Sequence, residues 1–291
     1  MYQMITSRIK RKALNNCVVA VWPFLVFLFS YWIAFGTIPI YNQAMVSSIL
    51  LLFVMFYFMI FTVEHLFKQI SLAPFWMFIS VFFYMFIIIG CLWSTTQFIF
   101  ISTIEYEKVI FVGLVVSFVS ACLIGYQYRK HSRYSPFLQQ WLNYFKQRSL
   151  VDWGIRTIVS LTLLFASYYL MDKLIFPFLE PLYYQQSSVI NQYQYNETYN
   201  IFGMLIHSIF FIILTIPVFA LWRASKSSLL FWIGFPIFFM VAVMPFFINT
   251  DWPLSFRFPI FIEMTAILFL QSIILVQLFY MDVHIHKREI N

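Results

Sequence analysis

The chain has 291 residues, 62% hydrophobic and only 10% charged, with a formal net charge of +7 and a mean hydropathy of +0.83. A soluble domain carries about 25% charged residues, so these side chains cannot coat a surface facing water. The same figures exclude disorder, while 7 Gly and 3 Cys exclude a glycine-rich linker and a disulfide-built module. What remains is an all-α polytopic bundle dissolved in lipid.

A helix needs about 20 mostly apolar residues to cross the hydrocarbon layer. Eight segments qualify, at about 17–36, 44–64, 72–95, 108–127, 157–179, 201–222, 228–249 and 258–280. The runs are unbroken, as from Leu50 to Phe58, whereas β-barrel strands would alternate over about ten residues. A basic stretch (Arg8, Lys10, Arg11, Lys12) precedes the first run. That run is longer than the apolar core of a cleavable signal, so an uncleaved first span is expected. The second span ends on Glu64, expected as an interfacial charge beside His65 and Lys68. Cys17, Cys91 and Cys122 form no CxxC and read as small packing residues.

The fourth span carries Gly113, Ser117, Ala121 and Gly125 at four-residue spacing. Small residues at that interval let two helix backbones approach closely in lipid, as a seam within the bundle or against a second copy. After it comes the largest inner connection, from Tyr128 to about Arg156, which divides the chain into two sets of four helices. Within it, 136–147 sets Phe137, Leu138, Trp141, Leu142 and Phe145 at helical spacing. This predicts an amphipathic helix in the headgroup plane, an anchor or a docking face for a cytoplasmic partner.

The fifth span is the weakest, interrupted by Asp172, Lys173 and Pro177, and is expected to end early or lie partly at the outer interface. The connection 180–200 holds Tyr183, Tyr184, Tyr193, Tyr195 and Tyr199 among amides; such rings populate membrane–water belts. Asn196-Glu197-Thr198 is an N-glycosylation acceptor triplet. Gln271 lies in the middle of the eighth span and is expected to bond to a neighbouring helix. His284-x-His286 is too few ligands for a metal site. Neither a metal nor a cofactor is implied.

The connections test the count. With the N-terminus inside, fifteen of the 18 Lys and Arg residues fall on the inner side, leaving Lys108, Lys173 and Arg257 outside. This asymmetry is a positive-inside signal and places both termini in the cytoplasm. Cations parcelled between apolar runs also argue against a nucleic-acid surface, which needs them clustered on one face.

Ionisable groups inside spans are expensive and mark functional paths. Lys173, His207 and Glu263 each lie five or six residues inside a predicted outer span end, a depth of roughly 7–9 Å. Asp172 neighbours them, and Asp251 and Arg257 are expected on the loop just above. The expectation is an outer-facing polar cavity made by Asp172, Lys173, His207, Asp251, Arg257 and Glu263. Glu263 and His207 would be its polar pair, with Lys173 or Arg257 facing an anionic ligand.

The sequence contains no GxxxxGK[ST] phosphate loop, no HExxH and no GxSxG. Asp251-Trp252-Pro253-Leu254-Ser255-Phe256-Arg257-Phe258-Pro259-Ile260 resembles the Arg-containing outer loop of multi-pass glycosyltransferases that use lipid-linked sugars. The resemblance implies that Arg257 faces a lipid phosphate at the outer leaflet. Those enzymes also place a catalytic acid in the first outer loop, and here 37–43 has no carboxylate. The leading expectation is therefore a permease-like transport or export component of a cell membrane. High Phe and low Gly suggest a bacterial plasma membrane. A cytoplasmic ATPase, another membrane subunit or a second copy would be its partner, beside the lipid bilayer. A membrane enzyme acting on lipid-linked glycans and a non-catalytic sensory or immunity protein are the alternatives.

Overall fold

The computed structural model describes residues 2–36, 45–68, 70, 72–92, 95, 106–128, 137–184, 197–248 and 253–281. Among these the chain is helical and contains no strand. That outcome follows from the solvent: hydrocarbon offers backbone N–H and C=O groups no partners, so each segment must satisfy its own. Seven helices are long and apolar enough to cross a membrane, and Val19–Phe35 is a shorter apolar stretch.

In chain order the helices are α1 (Tyr2–Phe35), α2 (Met45–Lys68), α3 (Pro74–Phe86, continued by a π-helical turn over Ile87–Leu92) and α4 (Tyr106–Tyr128). A short α5 (Phe137–Lys146) precedes α6 (Leu150–Tyr184) and α7 (Glu197–Leu221). The last two are α8 (Lys226–Phe238, continued by a π-helical turn at Phe239–Val243 and then Met244–Ile248) and α9 (Leu254–Phe279).

Local chemistry sets several of these ends. Gly36 takes φ +70° and its N–H donates to the Trp32 carbonyl at 2.8 Å, closing α1 with the left-handed residue that glycine alone adopts without strain. Pro74 opens α3, where its missing N–H has no helical partner to lose. Ser225 caps α8, its Oγ accepting from the Ser228 N–H at 3.3 Å.

Several helices outrun the apolar runs that predicted them. α6 does not end early: it continues through Asp172, Lys173, Pro177 and Pro181 to Tyr184. α9 starts at Leu254, so Arg257 stands in its first turn and not on a loop above it. α7 starts at Glu197, and α1 extends back through the basic stretch to Tyr2. Hydropathy registers only the lipid-facing middle of a helix, whereas hydrogen bonding carries the coil onward into the interface.

The first four helices pack as a set, α4 against α1 and α3, and α1 against α2. In the second set α6 lies against α9 and α7, and α8 against α9. The sets meet where α2 touches α8 and where the π turn of α3 touches α7 and the π turn of α8. At the α3–α4 crossing, a Cβ on Gly113 would stand 2.5 Å from the Gly90 Cα, and one on Gly125 would stand 3.6 Å from the Phe78 Cα. Ser117 and Ala121 are buried between them. The small-residue row of α4 thus faces α3 within the chain.

Glu64 is a correction: α2 continues beyond it to Lys68, and only 2% of Glu64 is exposed. The neighbouring His65 ring stacks on Trp232 of α8 at 4.9 Å. Gln271 donates to the Leu164 carbonyl of α6 at 3.3 Å, the neighbouring-helix bond its mid-span position suggested.

The amphipathic α5 lies on one end of the bundle. Phe137 stacks on Trp76 at 4.5 Å, Trp141 follows Phe137 at 5.8 Å, and Phe145 packs on Trp153 at 5.0 Å. These three rings are turned onto the protein, while Leu138 and Leu142 are exposed.

Candidate functional site

Polar groups sealed inside an apolar bundle need a reason. Successive residues on a helix are rotated by about 100°, so Tyr168 and Asp172, four apart, share the inner face of α6 while Lys173 turns away. Asp172 and Tyr168 are buried, whereas 40% of the Lys173 side chain is exposed. Lys173 Nζ donates to Glu197 Oε1 at 2.7 Å, tying α6 to the first turn of α7 outside the polar interior.

The α7 face opposite presents His207, which is fully buried. The Tyr168 ring meets the imidazole edge-on at 5.2 Å, and its hydroxyl reaches Met264 Sδ of α9 at 3.4 Å. Tyr168 therefore joins three helices at one level. Beside Met264 stands Glu263, also fully buried, with the Asp172 carboxylate of α6 within electrostatic range.

Neither oxygen of Glu263 and neither ring nitrogen of His207 has a hydrogen-bond partner among the described residues. Native proteins satisfy most buried polar atoms, so each exception asks for an explanation. His207 lies about 15 Å along α7 from Glu197, and Glu263 about 13 Å along α9 from Leu254.

The six residues expected to share a cavity thus divide. Asp172 of α6 and Glu263 of α9 are buried within electrostatic range of each other, and the buried His207 of α7 meets Tyr168, one turn before Asp172. Lys173 pairs with Glu197 instead. Arg257 donates from Nη1 to the Phe246 carbonyl at 2.9 Å and lies over the Phe246 ring, tying α9 to the end of α8. Asp251 lies outside the described residues, as do Asn196, Tyr193, Tyr195 and His284-x-His286. Among the described residues no group of three His, Cys, Asp or Glu could hold a metal ion.

A second polar assembly, which no motif announces, stands at the opposite end of α9. Tyr144 of α5, only 1% exposed, donates its hydroxyl to the Phe279 carbonyl at 2.8 Å. Arg148 and Arg156 both donate Nη1 to the Leu278 carbonyl, at 3.0 and 2.8 Å. Cationic and hydroxyl donors suit the unsatisfied carbonyls of a helix C-terminus. Asp152 holds Arg156 with two hydrogen bonds of 3.0 and 3.1 Å. Burial raises the Tyr144 phenol well above its usual range against the opposing pull of Arg148 and Arg156, and burial lowers the Arg148 guanidinium. Ordinary aromatic spacing gave Tyr144 no distinguishing mark; its proximity to Arg148 and Arg156 was the available signal.

No family model matches the sequence, and no curated protein or solved structure matches it either.

Proposed function

We propose that the chain is a permease-like transport component of a cell membrane, whose route passes the Glu263, His207 and Asp172 cluster. The observation that carries this reading is a carboxyl group and an imidazole fully buried among spans with no partner among the described residues. A bare charge in such a place has nothing to compensate its lost hydration. Groups of this kind inside spans mark ion and substrate pathways. A visiting proton, water or polar solute supplies the missing partner, and exchange of that visitor is what a transport route requires.

The end bearing Arg148, Arg156, Arg223 and Lys226 is assigned to the cytoplasm by the positive-inside rule. There α5 offers Leu138 and Leu142 to the membrane surface or to an energy-supplying ATPase subunit. The alternative glycan-enzyme reading needs Arg257 directed at a lipid phosphate; its Nη1 donates to the Phe246 carbonyl, and its Nε has no partner among the described residues.

The solute need not be named in advance to test this. Solutes are profiled inside and outside cells carrying the wild-type chain, no chain, Glu263→Gln or His207→Ala, at matched membrane abundance. The expected result is at least one solute whose partition changes without the chain and is not restored by either variant. Identical partition with and without the chain, or full restoration by both variants, overturns the reading.

A further inference from the structure

Among the described residues, every cation around the buried Glu263 is turned elsewhere. Along α9 the only other charged side chain is Arg257, six residues back and about a third of a turn round the helix, with Nη1 on the Phe246 carbonyl. On α6, Lys173 is paired with Glu197, and Arg156 reaches the Leu278 carbonyl at the far end. On α8, Lys226 binds Gln277, fourteen residues along α9 from Glu263, about 21 Å. The continuation of α8 over 239–248 holds no titratable residue. On α7, His207 meets Tyr168, whose hydroxyl goes to Met264 Sδ. What Glu263 does have within electrostatic range is a second acid, Asp172 of α6.

Glu263 is 0% and Asp172 5% exposed, and both oxygens of Glu263 lack a hydrogen-bond partner among the described residues. Two buried carboxylates repel each other and lose their hydration together. With no cation facing them, the pair calls for a positive occupant. A metal ion is poorly served here. Hard divalent cations take about six or more oxygen ligands, and among the described residues no third His, Cys, Asp or Glu joins the pair. A proton needs a single oxygen.

We infer that Asp172 and Glu263 form a proton-binding pair in which Glu263 keeps one proton and Asp172 exchanges a second, making H+ the coupling ion of the route. Its place in a route rests on the transport reading; its occupancy does not. Asp172 is the exchanging member because it is the less enclosed of the two and adjoins Lys173, whose side chain is 40% exposed. On loading, a proton leaves hydronium and forms an O–H bond on the Asp172 carboxylate. The pair then passes from one negative charge to none, and release reverses the step. Buried acids of this kind serve proton relays in membranes because the loaded form carries no charge through hydrocarbon.

Infrared difference spectra of the full chain in liposomes read the pair directly, through the carbonyl stretch that a protonated carboxyl shows and an ionised one does not. At neutral pH the wild type should show one such band that Glu263→Gln lacks. Glu263→Asp keeps the acid and moves the band, which secures the assignment if Glu263→Gln fails to accumulate. Acidification should add a second band that Asp172→Asn lacks, and both bands should move in heavy water. Wild-type and Glu263 variant spectra that coincide overturn the resident proton, and bands that ignore heavy water overturn exchange. Replacing sodium and potassium by choline should change neither band; dependence on the metal ion overturns the proton as occupant. A protonophore should abolish any solute partition that depends on the chain, and a partition it leaves intact overturns the coupling role. Identical solute partition with and without the chain removes the transport reading and, with it, the coupling role, whereas the spectra judge the proton site alone.

Discussion

Replacing Gly113 by alanine asks whether α3 and α4 touch backbone to backbone. The added Cβ would fall 2.5 Å from the Gly90 Cα and 2.7 Å from the Gly90 nitrogen, where ordinary contact begins near 3.4 Å. Backbone atoms cannot rotate aside as a side chain does, so the helices must part by about 1 Å. Overpacking of this kind costs about 1–3 kcal/mol. Alanine also improves an exposed helix position by about 0.5–1 kcal/mol over glycine, which would mask part of the loss. Gly154→Ala in α6 provides the correction, because a Cβ there meets nothing within 4 Å. Each variant shares the propensity gain, and their difference isolates the clash. Equilibrium unfolding in mixed detergent–SDS micelles, followed by tryptophan fluorescence, should place Gly113→Ala below Gly154→Ala by about 1–3 kcal/mol. Agreement of the two within about 0.5 kcal/mol would refute the close approach.

Two further outcomes are expected. Burial raises the folded-state pKa of Tyr144 above its unfolded value of 10.0, so its contribution to stability is complete below pH 10 and declines as pH rises beyond it, because the unfolded chain then releases a proton the folded one keeps. Tyr144→Phe should lower stability at neutral pH by about 0.5–1.5 kcal/mol and flatten the loss above pH 10; parallel wild-type and variant profiles would contradict this. In a background lacking Cys17, Cys91 and Cys122, impermeant thiol reagents should reach Glu197→Cys from one face of the membrane and Lys226→Cys from the other, and labelling of both from one face would break the topology.

How much could be read from the amino acids alone differs between the middles and the ends of the helices. The apolar runs located the spans because lipid forces an apolar stretch to coil. They misjudged where α6, α7 and α9 stop or start, since Glu180–Tyr184, Glu197–Asn200 and Leu254–Arg257 extend these helices beyond the predicted spans. Asp172 and Lys173 looked equivalent as neighbours in sequence, yet one faces inward and the other pairs with Glu197. Tyr168 was lost among aromatic residues because its partners, His207 and Met264, are remote in the chain. Tyr144 likewise binds a carbonyl 135 residues away. Contacts to backbone carbonyls leave no complementary side chain to find by inspection.

The part of α9 between Glu263 and Phe279 contains neither proline nor glycine, unlike α6, α7 and α8, which are interrupted by prolines. Sharp bends arise mainly at proline, glycine or π turns, so this stretch behaves as a stiff rod about 24 Å long. Its far tip is gripped by Tyr144, Arg148 and Arg156, the first of them borne by the surface helix. A tilt or twist imposed on that helix therefore arrives at the Glu263 carboxyl with little lost to flexing. On the proposed transport reading, an event at one membrane face and the occupancy of Glu263 would be linked by leverage along this rod.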